Sequence, residues 1–415
     1  MANRLIEQAS LARKASLSLR NVSEEKRNAV LRRFAELLEQ QEEVILEANE
    51  EDMRMAEAAG TRTNMLDRLK LDEKRMASIR EGILQVADLP DPLHQVLEER
   101  VIQSGIKLKK VSVPMGVIGV IFESRPNVSA DCIALCFKAG SACVLKGGKE
   151  SYQSCSAITA CMRAALKENG LDENLAVLAE KPSHEETAEF MADREDVDLL
   201  IPRGGKNLIR SVVENAKIPV IETGAGVCHV FVDESADLKM AEKIIINAKC
   251  QRPSVCNAME TLLVHESLKE TFLPHILQVM QEKGVVIYGD YPCIACNADV
   301  RPANEESYFT EYNDLIMNVK VVKDVEAAID HINHYGTHHS ESIITKDDGN
   351  AEKFLTEIDS ACLYRNASTR FTDGFEFGLG AEIGISTQKL HARGPMGLKE
   401  LTTYAYILEG NGEVR

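Results

Sequence analysis

Two doubly wound α/β lobes built on mostly parallel sheets are the fold class this 415-residue sequence predicts. Three observations carry that reading. Short apolar runs recur, helical patterns separate them, and the chain is longer than one hydrophobic core sustains. The first runs lie at 116–122, 142–145, 197–201, 219–222 and 228–232, with helical spacing at 151–169 and 206–216 between them. The alternation resumes after 241, with strands expected near 262–264, 285–288, 317–322 and 342–344 and a last strand near 403–408.

Taken in order, the first ninety or so residues read as helical. Asn21 offers a cap with Glu24 three residues on, and Val30, Leu31, Phe34, Leu37 and Leu38 follow at helical spacing. Leu89-Pro90-Asp91-Pro92 stops that pattern. The alternating segment 101–111 centres on Gly105 and predicts a short hairpin projecting from the globule. A two-stranded ribbon is marginal alone and exposes its edges, so the hairpin and the last strand are expected to pair across a subunit interface. The expected organisation is one lobe from 1–96 and 114–228, a second from 229–402, and oligomerisation strands at 97–113 and 403–415 of a homodimer or larger assembly.

Composition narrows the function classes. A net charge of −17 argues against nucleic acid and anionic membranes as partners, which need a clustered Lys/Arg face. No stretch approaches the ~18 apolar residues of a membrane helix, and the first residues lack a secretion signal. Eleven cysteines at irregular spacing read as reduced thiols, which makes the cytoplasm the expected compartment. A small substrate is expected, and if it is anionic its site must be a local positive island.

The residues that could carry chemistry follow. Cys256 lies in Gln251-Arg252-Pro253-Ser254-Val255-Cys256-Asn257, a loop-like stretch between a helix and a strand, where a thiolate could act as a nucleophile. Cysteine is also among the most often buried residue types, and the residues alone do not separate Cys256 from the other ten. Cys293 and Cys296 form a C-x-x-C pair with no second pair or spaced histidines, so no metal site is expected from them. Neither a G-x-G-x-x-G fingerprint nor a P-loop is present. Instead Ile201-Pro202-Arg203-Gly204-Gly205 runs from a strand into a diglycine turn and a helix, whose N–H groups suit a pyrophosphate or simply make a turn. Lys146 and Lys149, beside Gly147-Gly148, are the best positive island, or else solvated surface lysines.

In order and spacing these pieces resemble the aldehyde dehydrogenase superfamily: Pro114-Met115-Gly116-Val117-Ile118-Gly119, Val144-Leu145-Lys146, the Gly204-Gly205 turn, Ile221-Glu222-Thr223-Gly224-Ala225-Gly226, then Cys256 eight residues before Val264. Four further segments resemble the gamma-glutamyl phosphate reductase family: Phe122-Glu123-Ser124-Arg125-Pro126-Asn127-Val128, the stretch around Cys256, His331-Ile332-Asn333-His334-Tyr335-Gly336-Thr337-His338-His339-Ser340-Glu341-Ser342, and His391-Ala392-Arg393-Gly394-Pro395-Met396-Gly397-Leu398. That resemblance spans the whole chain.

The resemblance implies that the 1–96 and 114–228 lobe binds the cofactor and the 229–402 lobe is catalytic. It makes Cys256 the nucleophile, Lys146 and the Gly204-Gly205 turn cofactor contacts, and Asp314 the holder of the nicotinamide ribose. Glu222 matches the carboxylate that activates water in hydrolytic members. The superfamily's aromatic-Asn-aromatic-Pro segment is replaced by Ser124-Arg125-Pro126-Asn127, leaving Asn127 or a backbone N–H as the oxyanion donor. The implied reaction reduces L-glutamyl 5-phosphate to glutamate 5-semialdehyde in proline biosynthesis. Its cofactor is NADPH, because Lys149 stands where NAD-preferring relatives often carry Glu and would attract a 2′-phosphate. Arg125 and Arg252 are candidates for the substrate phosphate, with plain ion pairing as the alternative. Glutamate 5-kinase is the implied neighbour in the pathway. Two other readings remain open: an NAD(P)-linked aldehyde oxidation using Glu222, and a non-catalytic thiol or metal scaffold using Cys293 and Cys296.

Overall fold

The computed structural model describes residues 3–414, which form two compact units: the described residues up to 223 with 378–384 and from 396 onward, and residues 224–377 with 385–395.

The first unit begins with five helices, α1 (Arg4–Leu19), α2 (Glu24–Gln40), α3 (Glu42–Ala58), α4 (Thr63–Leu69) and α5 (Glu73–Asp88). The cap of α2 is Ser23, two residues later than the expected Asn21, and its hydroxyl accepts from the Lys26 amide. Val30, Leu31, Phe34, Leu37 and Leu38 face inward as their spacing requires. Next come β1 (Val96–Val101), β2 (Lys107–Pro114), β3 (Val117–Phe122), α6 (Pro126–Lys138), β4 (Ala142–Lys146), α7 (Tyr152–Glu168), β5 (Ala176–Leu178), α8 (His184–Ala192), β6 (Leu199–Arg203) and α9 (Lys206–Asn215). The main sheet is parallel in the order β5-β4-β3-β6, with β3 buried along its whole length. Segment 219–222 does not form the expected strand. It contributes a single bridge, Val220 to Leu200, since a proline at 219 has no N–H for a ladder.

The second unit holds β7 (Cys228–Val232), α10 (Leu238–Cys250), β8 (Met259–His265), α11 (Leu273–Glu282), β9 (Val286–Gly289), β10 (Arg301–Pro302), β11 (Ile316–Val322), β12 (Ser340–Ile344) and β13 (Cys362–Arg365). Their order is β10-β9-β11-β8-β7-β12-β13, and every neighbouring pair is parallel. Strand 228–232, read from sequence with the first series, lies instead between β8 and β12 of this sheet. Apolar side chains cover both faces, one cluster around Leu262, Leu277 and Met317 and another around Phe231, Ile332 and Phe354.

A short pair, β14 (Gly384–Ser386) with β15 (Gly394–Met396), precedes the last strand, β16 (Thr402–Glu409). The expected cross-subunit pairing of hairpin and last strand is corrected here. Within one chain β16 runs antiparallel to β2 from Thr402 opposite Pro114 to Glu409 opposite Lys107, and β1 takes the other side of β2. This satisfies the central strand internally and leaves the outer edges of β1 and β16 open. Leu97, Val101, Tyr406 and Leu408 stand exposed on this ribbon. No helix among the described residues is long and apolar enough to cross a membrane.

Candidate active site

In the first unit the sequence-predicted residues Lys146, Lys149, Gly204 and Gly205 lie at or just beyond the C-terminal ends of β4 and β6, where open α/β sheets bind ligands. Lys146 is half-buried. Burial lowers the pKa of its ammonium, against the pull of the Glu150 and Glu123 carboxylates. Lys149 is exposed, in the turn that opens α7. Glu150 turns back to accept from both the amide (3.0 Å) and the hydroxyl (2.5 Å) of Ser124. Gly205 caps α9, and its amide donates to Glu123 Oε2 at 3.0 Å. A Cβ on Gly205 would meet only that carboxylate oxygen, at 3.8 Å, so the turn is open enough for a phosphate to approach the helix N-terminus. An amide that already holds an anionic oxygen, with a half-buried lysine at the end of β4 on the far side of β3, fits the phosphates of a nicotinamide dinucleotide.

Arg125 caps α6 and Asn127 lies in its first turn. The Asn127 amide donates to Asp131 Oδ2 at 3.1 Å, and burial lifts the Asp131 carboxyl to about 6 despite that bond and nearby Arg203. Glu222, half-buried, stands beside Thr223, whose hydroxyl donates to the Pro202 carbonyl at 2.6 Å.

In the second unit Cys256 and Arg252 sit in the loop between α10 and β8, and the surrounding fold fixes that loop closely. The Cys228 thiol donates to the Cys256 carbonyl at 3.2 Å. A Cβ on Gly226 would come within 1.5 Å of the same oxygen, so only glycine fits opposite it. The Gly226 amide is held by Glu311 Oε1 at 2.9 Å, and the Val227 amide by Thr337 Oγ1 at 3.0 Å. On the other side the Asn257 side chain donates to the Thr372 carbonyl at 2.8 Å and the Thr369 hydroxyl donates to the Asn257 carbonyl at 2.7 Å.

Exposure narrows the eleven thiols to three. Cys250, Cys256 and Cys296 are the partly exposed cysteines; the other eight are buried. Burial raises the pKa of Cys132, Cys228 and Cys293, takes Cys155 to about 12 and Cys161 to about 11, and also raises Cys250 and Cys296. Such thiols stay protonated and inert near neutrality. Cys293 also lies under the cap of a short helix, held by Asp290, and among the described residues no three His, Cys, Asp or Glu side chains come together as a metal site would require.

Two residues of this region escaped the sequence reading. Arg370 donates from Nε to Gln251 Oε1 at 3.1 Å and from Nη1 to Asn257 Oδ1, so it straddles the cysteine loop. Glu311, three residues before Asp314, holds the Gly226 amide, while Asp314 is exposed and closes its own turn by accepting from Leu315 at 2.7 Å. The histidine-rich segment serves as underlay. His339 Nδ1 lies 3.7 Å from Cys228 Sγ and 2.8 Å from Ser340 Oγ, and burial takes its imidazole down to about 4, so it is neutral.

Comparison with known proteins gives a consistent picture. Residues 2–290 match the model of the aldehyde dehydrogenase family. The gamma-glutamyl phosphate reductase of Carboxydothermus hydrogenoformans is 51% identical over 98% of this chain and 98% of its own. That of Caldicellulosiruptor bescii is 51% identical over 100% of both. The crystal structure of gamma-glutamyl phosphate reductase from Thermotoga maritima is similar with a TM-score of 0.96 at 46% identity, covering 99% of each chain.

Proposed function

Since the chain belongs to the gamma-glutamyl phosphate reductase family of aldehyde dehydrogenase-type oxidoreductases, we propose that it reduces L-glutamyl 5-phosphate with NADPH, through a thioester on Cys256. It is a nicotinamide-dependent enzyme that forms glutamate 5-semialdehyde in proline biosynthesis. The observation that carries the proposal is the setting of Cys256: a partly exposed residue whose carbonyl is held by Cys228 and packed against Gly226, whose neighbour Asn257 is held by Thr369 and Thr372, and whose loop carries Arg252 and is reached by Arg370.

In this reading the Cys256 thiolate attacks the γ-carbonyl carbon. The S–C bond forms, the bond to the phosphate oxygen breaks, and inorganic phosphate leaves with the electron pair. A nicotinamide cofactor held at Lys146 and the Gly204-Gly205 turn would supply the hydride that reduces the thioester. The resulting thiohemiacetal collapses to aldehyde and thiol. Because phosphate is already a good leaving group, the protein needs positioning and anion binding more than a strong general acid. Asn127 is our candidate oxyanion donor, Arg125 and Arg252 are candidates for the phosphate, Asp314 for the nicotinamide ribose, and Glu222 takes the place of the water-activating carboxylate of hydrolytic relatives. The deciding experiment supplies NADP, glutamate 5-semialdehyde and inorganic phosphate. Cofactor reduction should require phosphate, and equal reduction without it would assign an ordinary aldehyde oxidation instead.

Lys146, Lys149 and the Gly204-Gly205 turn are proposed to hold the cofactor phosphates, with Lys149 selecting NADPH. Lys149→Glu should raise the KM for NADPH by roughly 5- to 50-fold while moving that for NADH far less, since a charge reversal in a wet groove is of modest strength. An unchanged NADPH/NADH ratio would remove Lys149 from the site. The reduced thiols suit a cytoplasmic enzyme. The exposed apolar residues of the β1-β2-β16 ribbon favour a dimer or larger, which light scattering reads directly. Transfer of the labile acyl phosphate from a glutamate 5-kinase fits the same chemistry.

A further inference from the structure

We infer that Arg370 joins Arg252 in a receptor for the phosphoryl group of the substrate and for the inorganic phosphate released from it. This rests on the acyl-phosphate reading above and adds a residue that lies more than a hundred positions from the nucleophile in sequence.

The segment carrying Arg370 is stitched to the cysteine loop from two sides, by the Thr369 hydroxyl on the Asn257 carbonyl and the Asn257 amide on the Thr372 carbonyl. Its backbone amide is capped by Ser368 Oγ at 3.2 Å, which fixes where the side chain departs. The guanidinium then reaches Gln251 Oε1 and Asn257 Oδ1, the residues immediately before Arg252 and immediately after Cys256. Both acceptors are neutral amides. They orient the guanidinium, and among the described residues no carboxylate is hydrogen-bonded to it.

That charge is kept under opposition. Burial disfavours the protonated form first, and the like charge of Arg252 is the second cause, with Asp373 only partly offsetting them. Arg370 is half-buried and hydrogen-bonded to the residues on either side of the Arg252–Cys256 stretch, while Arg252 is exposed in the same loop, so two like charges flank one segment. A phosphoryl dianion that accepts from both removes the repulsion, and planar guanidinium forks match phosphate oxygens. The same contacts strengthen as the carbon–oxygen bond breaks and negative charge collects on the departing oxygens, so the receptor favours departure as well as binding.

The test uses the full enzyme in the reverse direction, with inorganic phosphate varied against NADP and glutamate 5-semialdehyde. Arg370→Gln keeps a side-chain amide that can still bond the loop, and Arg370→Lys keeps the charge without the fork. In Arg370→Gln the KM for phosphate should rise roughly 30-fold or more while those for semialdehyde and NADP stay near wild type, and Arg370→Lys should recover part of the loss. Independently of turnover, inorganic phosphate should protect Cys256 from iodoacetamide in the wild type, read by peptide mapping, and protection should fade in Arg370→Gln. An unchanged phosphate KM with the alkylation profile of Cys256 moved to higher pH would overturn the proposal and assign Arg370 to the thiolate. A fall in kcat and melting temperature with phosphate KM and protection intact would overturn it in favour of a structural role. Cofactor reduction that needs no phosphate in the wild type would instead reject the acyl-phosphate reading itself.

Discussion

Replacing Cys256 by alanine should lower turnover by roughly 10⁴-fold or more, to the level left by binding alone, while NADPH binding and the melting temperature change little. The thiol is partly exposed, so its loss opens no large core cavity, and the loop is held through backbone and neighbouring groups: the Cys256 carbonyl on Cys228 and the Asn257 side chain on Thr372. Cys250 is the proper comparison. It ends α10 six residues earlier, packs against the core, and has a thiol pushed up by burial, so Cys250→Ala should cost about 1 kcal/mol of packing and keep most activity. Steady-state rates, cofactor fluorescence titration and a thermal melt of both variants decide the matter. An active Cys256→Ala beside an inactive Cys250→Ala would show that the nucleophile has been placed six residues out of register.

What the sequence made legible follows from which interactions are local. Runs such as 142–145 predict buried parallel strands because every side chain there is apolar, and β4 forms on those residues and Lys146. Strand β8 begins three residues earlier than its apolar run suggests. Glu260 and Thr261 interrupt the pattern yet are fully buried, Glu260 because Lys249 lies 2.7 Å away. Strand β12 hides Glu341 in the same way: its carboxylate accepts from both the amide and the ring of His229, 112 residues distant. Polar residues satisfied by remote partners look like loop in a linear pattern, and only the fold supplies the partner. The same logic explains Arg370, whose acceptors lie at 251 and 257. The intramolecular pairing of β16 with β2 was not legible either. An edge that needs a partner does not say from sequence whether the partner is the same chain or a second copy.

The Lys249–Glu260 pair yields a second large effect, on stability. Both side chains are fully buried and their ends lie 2.7 Å apart, bridging the last turn of α10 and the first residues of β8, the two ends of the Cys256 loop. Burial raises the Glu260 carboxyl to about 8, while Lys249 and the Asn313 amide pull it back. Lys249→Met keeps most of the volume and removes the charge that pulls hardest, so the folded-state value moves higher still. An unfolded Glu titrates near ~4.3, so in acid both states hold the proton and the variant should lose little. As pH rises from about 5 to 8 the unfolded chain releases a proton that the folded variant must keep, and stability falls by up to about 1.4 kcal/mol per pH unit. The wild type shares that slope up to about pH 8, where its own carboxyl releases the proton, so the loss specific to the variant opens above pH 8 and grows by up to about 1.4 kcal/mol per pH unit. Glu260→Gln should slope the other way. It strands a buried ammonium whose folded-state value drops, so its penalty is largest in acid and eases as pH rises and the lysine sheds its proton. Thermal melts of wild type and both variants between pH 5 and about 9.5 provide the check: Lys249→Met should part from the wild type only above pH 8 while Glu260→Gln slopes the other way throughout, and parallel curves would mean that the two groups do not meet as a charged pair.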